Sequence, residues 1–214
     1  AKDMEKQEFK PYHIFLIVVL GLMLVVDIVW SIIQKQTTIE NLFPYGLILS
    51  FVLALCLTNA RNENIKQLAK IYVAYVGVAF GLLILVAPVP SFNNFPLFHF
   101  KSMFAILSGS IMFFLGLMQF VFKQVEMNSK TLGLAIFLML DLIVDCLILN
   151  VIFNANYLYL FKPGNLNVEW LSNIYLFDNN IYTLFMVVLY IMPILVIYTV
   201  YKLADFMVKR YNKN

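Results

Sequence analysis

Two aspartates, Asp141 and Asp145, lie four residues apart inside an apolar stretch, residues 132–152. In a helix they share one face, one turn apart. A carboxylate at the middle of a membrane helix costs roughly 2.5–3.5 kcal/mol, so it is expected to face other helices, water, a cation or a ligand. Three apolar residues share their face: Leu138, Ile148 and Ile152. We therefore expect this face to point into a helix bundle.

The acidic pair is the first candidate for a site that binds a cation, a proton or an amine. The alternative is a structural pair that fixes helix order through hydrogen bonds. Other polar residues within or beside apolar stretches extend the candidate site. Asp27 is a third acid, Lys101 a counter-charge and His99 an interfacial neighbour, while three asparagines ascend into a loop above the pair. The expected binding residues are Asp141, Asp145, Asp27, Lys101, His99, Asn150, Asn154 and Asn156.

Catalytic and metal-binding patterns are not found in the sequence. It has no Ser-His-Asp, HExxH, P-loop or GxGxxG pattern. Cys56 and Cys146 both fall inside apolar stretches and have no CxxC or Cys/His metal spacing. We expect no catalytic residue, no metal and no cofactor, and the chain is more consistent with a binding protein than with an enzyme.

The composition predicts that these residues sit in a membrane. The chain has 214 residues, of which 62% are hydrophobic and only 13% are charged. A soluble domain of this length needs far more charge on its surface. Six apolar stretches approach the length that spans a bilayer: 13–33, 43–57, 68–87, 97–122, 132–152 and 181–204. The sequence thus predicts an all-α, polytopic bundle of six transmembrane helices that forms one domain, residues 1–214.

The basic residues predict the orientation of this bundle. Twelve of the fifteen Lys and Arg residues lie before the first stretch, at the second and fourth connections (including Lys70 at the start of the third stretch), and at the end of the chain (including Lys202 at the end of the last stretch). By the positive-inside rule both termini are cytoplasmic, which requires an even number of spans and agrees with six. No basic run is long enough to bind nucleic acid. Thirteen Lys against two Arg, with abundant Asn and Ile, are typical of AT-rich bacterial genomes and indicate a bacterial plasma membrane.

Two further patterns predict how the chain packs. The outer loop, residues 153–180, is rich in aromatic residues and Asn and contains a turn at Pro163-Gly164. We expect it to fold back as an interfacial or re-entrant segment, in which Asn side chains hold backbone that lacks regular hydrogen bonds. Gly77 and Gly81 form a GxxxG pattern, which predicts close contact with another helix.

Within this loop the chain resembles a known family. Residues 156–160 (Asn-Tyr-Leu-Tyr-Leu), then Lys162-Pro163, Leu171 and a final apolar stretch resemble the signature of the YwaF-type family of small bacterial integral membrane proteins. The resemblance covers roughly residues 40–200, with comparable features at Phe43-Pro44, Ala87-Pro88 and Phe95-Pro96. It implies a multi-pass membrane scaffold. Animal relatives of the family are phospholipid acyltransferases thought to depend on a Cys and a His.

The sequence departs from that family at the positions that would carry acyl transfer. Gly46 stands where the family has His, Ile48 where it has Cys, and Ser108 where it has a second His. The resemblance therefore implies a scaffold without the family's chemistry.

Three functions follow from these observations. The first is a non-catalytic subunit or binding protein of a bacterial membrane complex, with a polar intramembrane site for a lipid, cation or small molecule. Its partners would be membrane lipids and other membrane subunits. The second is the substrate-binding component of a transporter, because the chain is similar in size and span number to the capture subunits of energy-coupling-factor vitamin transporters. The third is an acyltransferase with relocated residues, Cys56 and His99.

Overall fold

A computed structural model describes residues 10–33, 42–86, 98–163 and 169–211. Every regular element in these residues is helical: α1 Lys10–Ile33, α2 Leu42–Leu57, α3 Glu63–Ile71, α4 Gly77–Val86, α5 Phe100–Val121, α6 Ser129–Phe153, α7 Glu169–Phe177 and α8 Asn179–Tyr211. A π-helical turn, Tyr72–Val76, joins α3 to α4, and a 3₁₀ turn, Tyr157–Tyr159, follows α6. The prediction of an all-helical chain is confirmed for the described residues.

A helix occupies each of the six predicted apolar stretches. Four helical segments are long and apolar enough to cross a membrane, judged by length and composition. The first, residues 63–83, is the continuous run of α3, the π-helical turn and α4, and the others lie within residues 102–121, 129–153 and 179–208. Two shorter apolar helices lie within residues 14–30 and 46–57. These helices fit a membrane location. The sequence did not predict α7, which lies within the outer loop.

Polar side chains fix the helix ends at one side of the bundle. Asn62 caps α3 by accepting hydrogen bonds from the backbone amides of Asn64 and Ile65. Asn128 and Thr131 form a reciprocal capping box at the start of α6. Lys70 Nζ, in the last turn of α3, donates to Gln124 Oε1 at 2.9 Å, which holds α3 against the α5–α6 connection.

The predicted GxxxG contact is confirmed in the packing of α4 against α5. A Cβ atom built on Gly81 would lie 2.6 Å from the Phe113 amide nitrogen and 2.7 Å from the Gly109 carbonyl oxygen. On α5, a Cβ on Gly116 would lie 2.9 Å from the Ala74 carbonyl oxygen. Only glycine fits at these distances, so the two backbones touch. The contacts also show that α4 and α5 run antiparallel.

Candidate functional site

Asp141 and Asp145 lie on the outward face of α6, and both are exposed. The prediction that they face the bundle interior is therefore wrong. Of the residues expected to share their face, Ile148 and Ile152 are 51% and 65% exposed, and Leu138 is half-buried. In the part of the chain that the structure describes, no hydrogen bond or ion pair joins either carboxylate to another residue.

The buried face of α6 is the opposite one. Its members are small, polarisable or polar as well as aliphatic: Ala135, Met139, Ile143, Cys146 and Asn150. Hydropathy does not separate this face from the outward one, because in a membrane the interior and the lipid-facing surface are both apolar. Small and amide side chains at helical spacing were the signal that would have identified the inward face.

Asp27 is placed in a different environment from the pair. It is 4% exposed, shares the inward face of α1 with Leu20, and takes part in an interaction within the fold. Helix α1 packs on α2 and α5, whereas α6 packs on α8, α3 and the π-helical turn. The structure therefore does not unite Asp27 with Asp141 and Asp145 in one pocket.

Lys101 and His99 belong to the first turn of α5 and the residues before it. The Lys101 side chain lies outside the described residues. His99 is half-buried and makes an interaction within the fold, and its backbone carbonyl accepts a hydrogen bond from Met103. Asp141 is twelve residues from either end of α6. Lys101 is the second residue of α5, so its backbone lies near a helix end rather than at the depth of the pair.

The asparagines of the outer loop hold its backbone, as the sequence predicts. The Asn150 side chain accepts from the Tyr157 amide and donates to the Tyr157 carbonyl at 3.1 Å. Asn156 donates to the Lys162 carbonyl at 2.8 Å and accepts from the amides of Phe161 and Lys162. Asn154 ends α6 in a left-handed conformation, with φ of 50°, and is exposed. Asn150 and Asn156 are thus committed to the loop rather than to a vestibule.

Three hydroxyls from α8 complete this arrangement, and the sequence did not predict their hydrogen bonds to the loop. Tyr190, Tyr182 and Thr183 donate to successive loop carbonyls, those of Leu158, Tyr159 and Leu160, each at 2.8 Å. Leu158 and Tyr159 both have positive φ, 55° and 51°, which costs roughly 1–2 kcal/mol per residue. The hydrogen bonds offset that cost. We call residues 150–163 with these three hydroxyls the outer clasp.

A shallow cleft opens beside the outer clasp at the start of α8. Its volume is about 460 Å³. Its six lining residues combine polar and apolar side chains: Phe161, Asn179, Asn180, Thr183, Leu184 and Val187.

The positions that differ from the acyltransferase pattern hold neither a cysteine nor a histidine. Gly46 is exposed, Ile48 is buried, and the Ser108 hydroxyl is buried and donates to the Ala105 carbonyl at 3.1 Å. Cys56 lies at the end of α2 that leads into α3, whereas His99 precedes the opposite end of the bundle. The 22 residues of α5 correspond to about 33 Å between these ends.

Fold and site together define an all-helical protein whose helices fit a membrane. Its loop after α6 is held by side chains of α6, of the loop itself and of α8, and two carboxylates lie on an outward helix face. No protein-family model, curated protein or solved structure matches the chain.

Proposed function

We propose that this protein is a non-catalytic subunit of a bacterial plasma-membrane complex, with six membrane spans and both termini in the cytoplasm. The observation that carries the proposal is the exposure of Asp141 and Asp145 at mid-length on α6. Each carboxylate costs roughly 2.5–3.5 kcal/mol at that depth when lipid surrounds it. A neighbouring subunit that covers the pair would remove this cost.

The six-span orientation is supported by the basic residues and by one contact. Twelve of the fifteen Lys and Arg residues lie on the side assigned to the cytoplasm. The hydrogen bond from Lys70 to Gln124 joins α3, the first part of the third span, to the α5–α6 connection, and this orientation assigns both to that side. The six-span arrangement requires that the shorter apolar helices, α1 and α2, cross as well.

A non-catalytic role is supported by what occupies the family positions. Gly46 and Ser108 stand where the acyltransferase pattern has histidine, and Ile48 stands where it has cysteine. Ile48 is buried, and the Ser108 hydroxyl donates to a carbonyl of its own helix. Cys56 and His99 lie too far apart to act on one substrate. The YwaF-type relationship is proposed for the scaffold alone.

Purification in a mild detergent tests the subunit proposal. We expect the tagged protein to co-purify with a stable membrane partner. We expect the double variant Asp141→Leu, Asp145→Leu to insert normally but to lose both the partner and the cellular role. The matched control is Val188→Leu, Met192→Leu on the exposed face of α8. An unchanged complex and unchanged cellular function in the Asp double variant would contradict the proposal.

Single cysteines test the orientation. In a background with Cys56 and Cys146 replaced by Ser, Asn59→Cys lies in the α2–α3 turn and Asn154→Cys at the outer end of α6, and both positions are exposed. We expect a membrane-impermeant maleimide added to intact cells or spheroplasts to label position 154 and to spare position 59. Labelling of both positions from the same side would refute the six-span arrangement.

Lipid binding is a second candidate function, supported by the cleft at the start of α8. Leu184→Trp would fill the cleft, whereas Val188→Trp changes an exposed residue of the same helix outside it. Native mass spectrometry should show a retained phospholipid in the wild type and in the position-188 variant, but not in the position-184 variant. Equal retention in all three proteins would remove this candidate.

A further inference from the structure

We propose that the outward face of α6 binds a membrane-spanning helix of another protein that carries a Lys or Arg side chain at the depth of Asp141. This inference deepens the proposed function, on which it rests, by stating the chemistry of the partner. Two features lead to it: the spacing of the exposed apolar residues on α6, and the position of the carboxylates among them.

Four of the eight exposed apolar residues that α6 carries have, together with Asp141, the spacing of a helix–helix seam. Phe137, Val144, Ile148 and Val151 are 64%, 50%, 51% and 73% exposed. With Asp141 they follow a 4-3-4-3 spacing, the pattern by which one helix packs along another. We call these five residues the α6 seam. A Cβ atom on Gly133, one turn before Phe137, would meet no atom within 4 Å, so the seam is open at that end too.

The carboxylates define which helix fits the seam. Asp141 is the second of the five seam residues, and Asp145 lies one turn further along, beside Val144 and Ile148. A basic side chain on the facing helix would neutralise charge that is otherwise exposed to hydrocarbon. A polar residue within an apolar seam also fixes partner and register, because any other alignment leaves it unpaired.

Lipid and free cations fit the pair less well. Asp141 is twelve residues from each end of α6, about 18 Å along the axis, so a lipid headgroup does not reach it. Among the described residues no group of three or more His, Cys, Asp or Glu side chains is arranged to hold a metal ion.

A second copy of this chain also fits less well than a different protein. Symmetric pairing of two α6 seams would bring four carboxylates together, and like charges repel strongly where the dielectric constant is low. Lys101, which lies inside the fourth apolar stretch, belongs to the first turn of α5 and not to the middle of a helix.

Designed helices provide a direct test. The probe is a synthetic Leu/Ala transmembrane peptide of about 23 residues with a single central Lys. Its control has Leu at the centre. The protein, labelled at the exposed Cys56, is reconstituted in phosphatidylcholine vesicles, and association is measured by energy transfer to the labelled peptide. We expect the Lys peptide to bind about tenfold more tightly than the Leu peptide, as one intramembrane ion pair allows.

Variants locate the contact. Asp141→Asn with Asp145→Asn should reduce binding of the Lys peptide to the level of the Leu peptide. Ile148→Trp should weaken binding by blocking the α6 seam, whereas Val188→Trp on α8 should not. Equal binding of both peptides, or Lys-peptide binding that survives the Asn variants, would overturn the inference. Asp-dependent energy transfer between two copies of the protein itself would overturn it in favour of self-association.

The outcome is separable from that of the proposed function. If a native complex is found but its contact lies outside the α6 seam, the subunit role is supported and this inference is refuted. If the Lys peptide binds but the protein has no partner in its own membrane, the chemistry of the seam is supported and the subunit role is refuted.

Discussion

The outer clasp begins at the end of the helix that carries the α6 seam, and the two regions differ in how their polar groups find partners. In the outer clasp, Asn150 and three hydroxyls of α8 satisfy the loop backbone from within the chain. On the α6 seam, Asp141 is exposed and, among the described residues, has no hydrogen-bonding partner. The difference teaches that polarity within apolar helices is not one signal: polar groups on the inward face bond to the chain itself, whereas the two carboxylates on the outward face of α6 do not.

The largest expected effect comes from removing the central amide of the outer clasp. Asn150→Leu keeps the side-chain size but removes the Asn150 acceptor of the Tyr157 amide and one of the two donors to the Tyr157 carbonyl, which still accepts from the Leu160 amide. Loss of a hydrogen-bonding partner for a buried group costs about 1–3 kcal/mol. We expect a marked fall in the melting temperature of the purified protein, measured by intrinsic fluorescence. Asn173→Leu, at an exposed position of α7, is the control and should change little. Equal effects of the two substitutions would show that the clasp does not stabilise the fold.

The next effect on stability comes from the close packing of α4 against α5. Gly81→Ala places a methyl group 2.6–2.7 Å from the α5 backbone, so the helices must separate. Overpacking of this kind costs about 1–3 kcal/mol. Gly21→Ala, where a Cβ would meet no atom within 4 Å, is the matched control. Comparison of unfolding midpoints in a denaturing detergent checks the difference, and a Gly81 variant as stable as the control would contradict the backbone contact.

The smallest effect on stability is expected from the exposed acidic pair. The same Asp→Asn substitution is compared at buried Asp27 and at exposed Asp141 and Asp145. Asp27→Asn alters a buried carboxylate that interacts within the fold, and we expect a loss of about 1–3 kcal/mol. Asp141→Asn with Asp145→Asn alters exposed groups that make no hydrogen bond or ion pair within the described chain, and stability should be unchanged or slightly higher, since the charges are removed from an apolar surface. Thermal unfolding in detergent measures both. A double variant much less stable than Asp27→Asn would place the pair within the fold after all.

Sequence patterns predicted the helices well because a long apolar run has few alternatives in a membrane. All six runs are helical, and the positions of Gly77 and Gly81 correctly predicted a close helix contact. The role of Asn side chains in the outer loop was also predictable, because backbone outside regular structure must find hydrogen bonds somewhere. Helix α7 was not predicted, since nine residues with mixed polarity form a weak pattern.

The direction of the acids was not predictable from hydropathy. Asp141 and Asp145 were expected to point inward because charge is costly in lipid, and under the proposed function a second protein removes that cost instead. Tyr182 and Tyr190 resembled ordinary apolar-helix aromatics, and only three-dimensional placement brings their hydroxyls to the loop carbonyls. Distant partners in the chain, and partners in other chains, are what a single sequence leaves open.

The outer clasp has a mechanical consequence. Because one loop is bonded to Asn150 on α6 and to three hydroxyls on α8, the two helices cannot slide past each other without breaking several of those bonds together. A displacement of α6 along its axis would therefore be transmitted through the loop to α8.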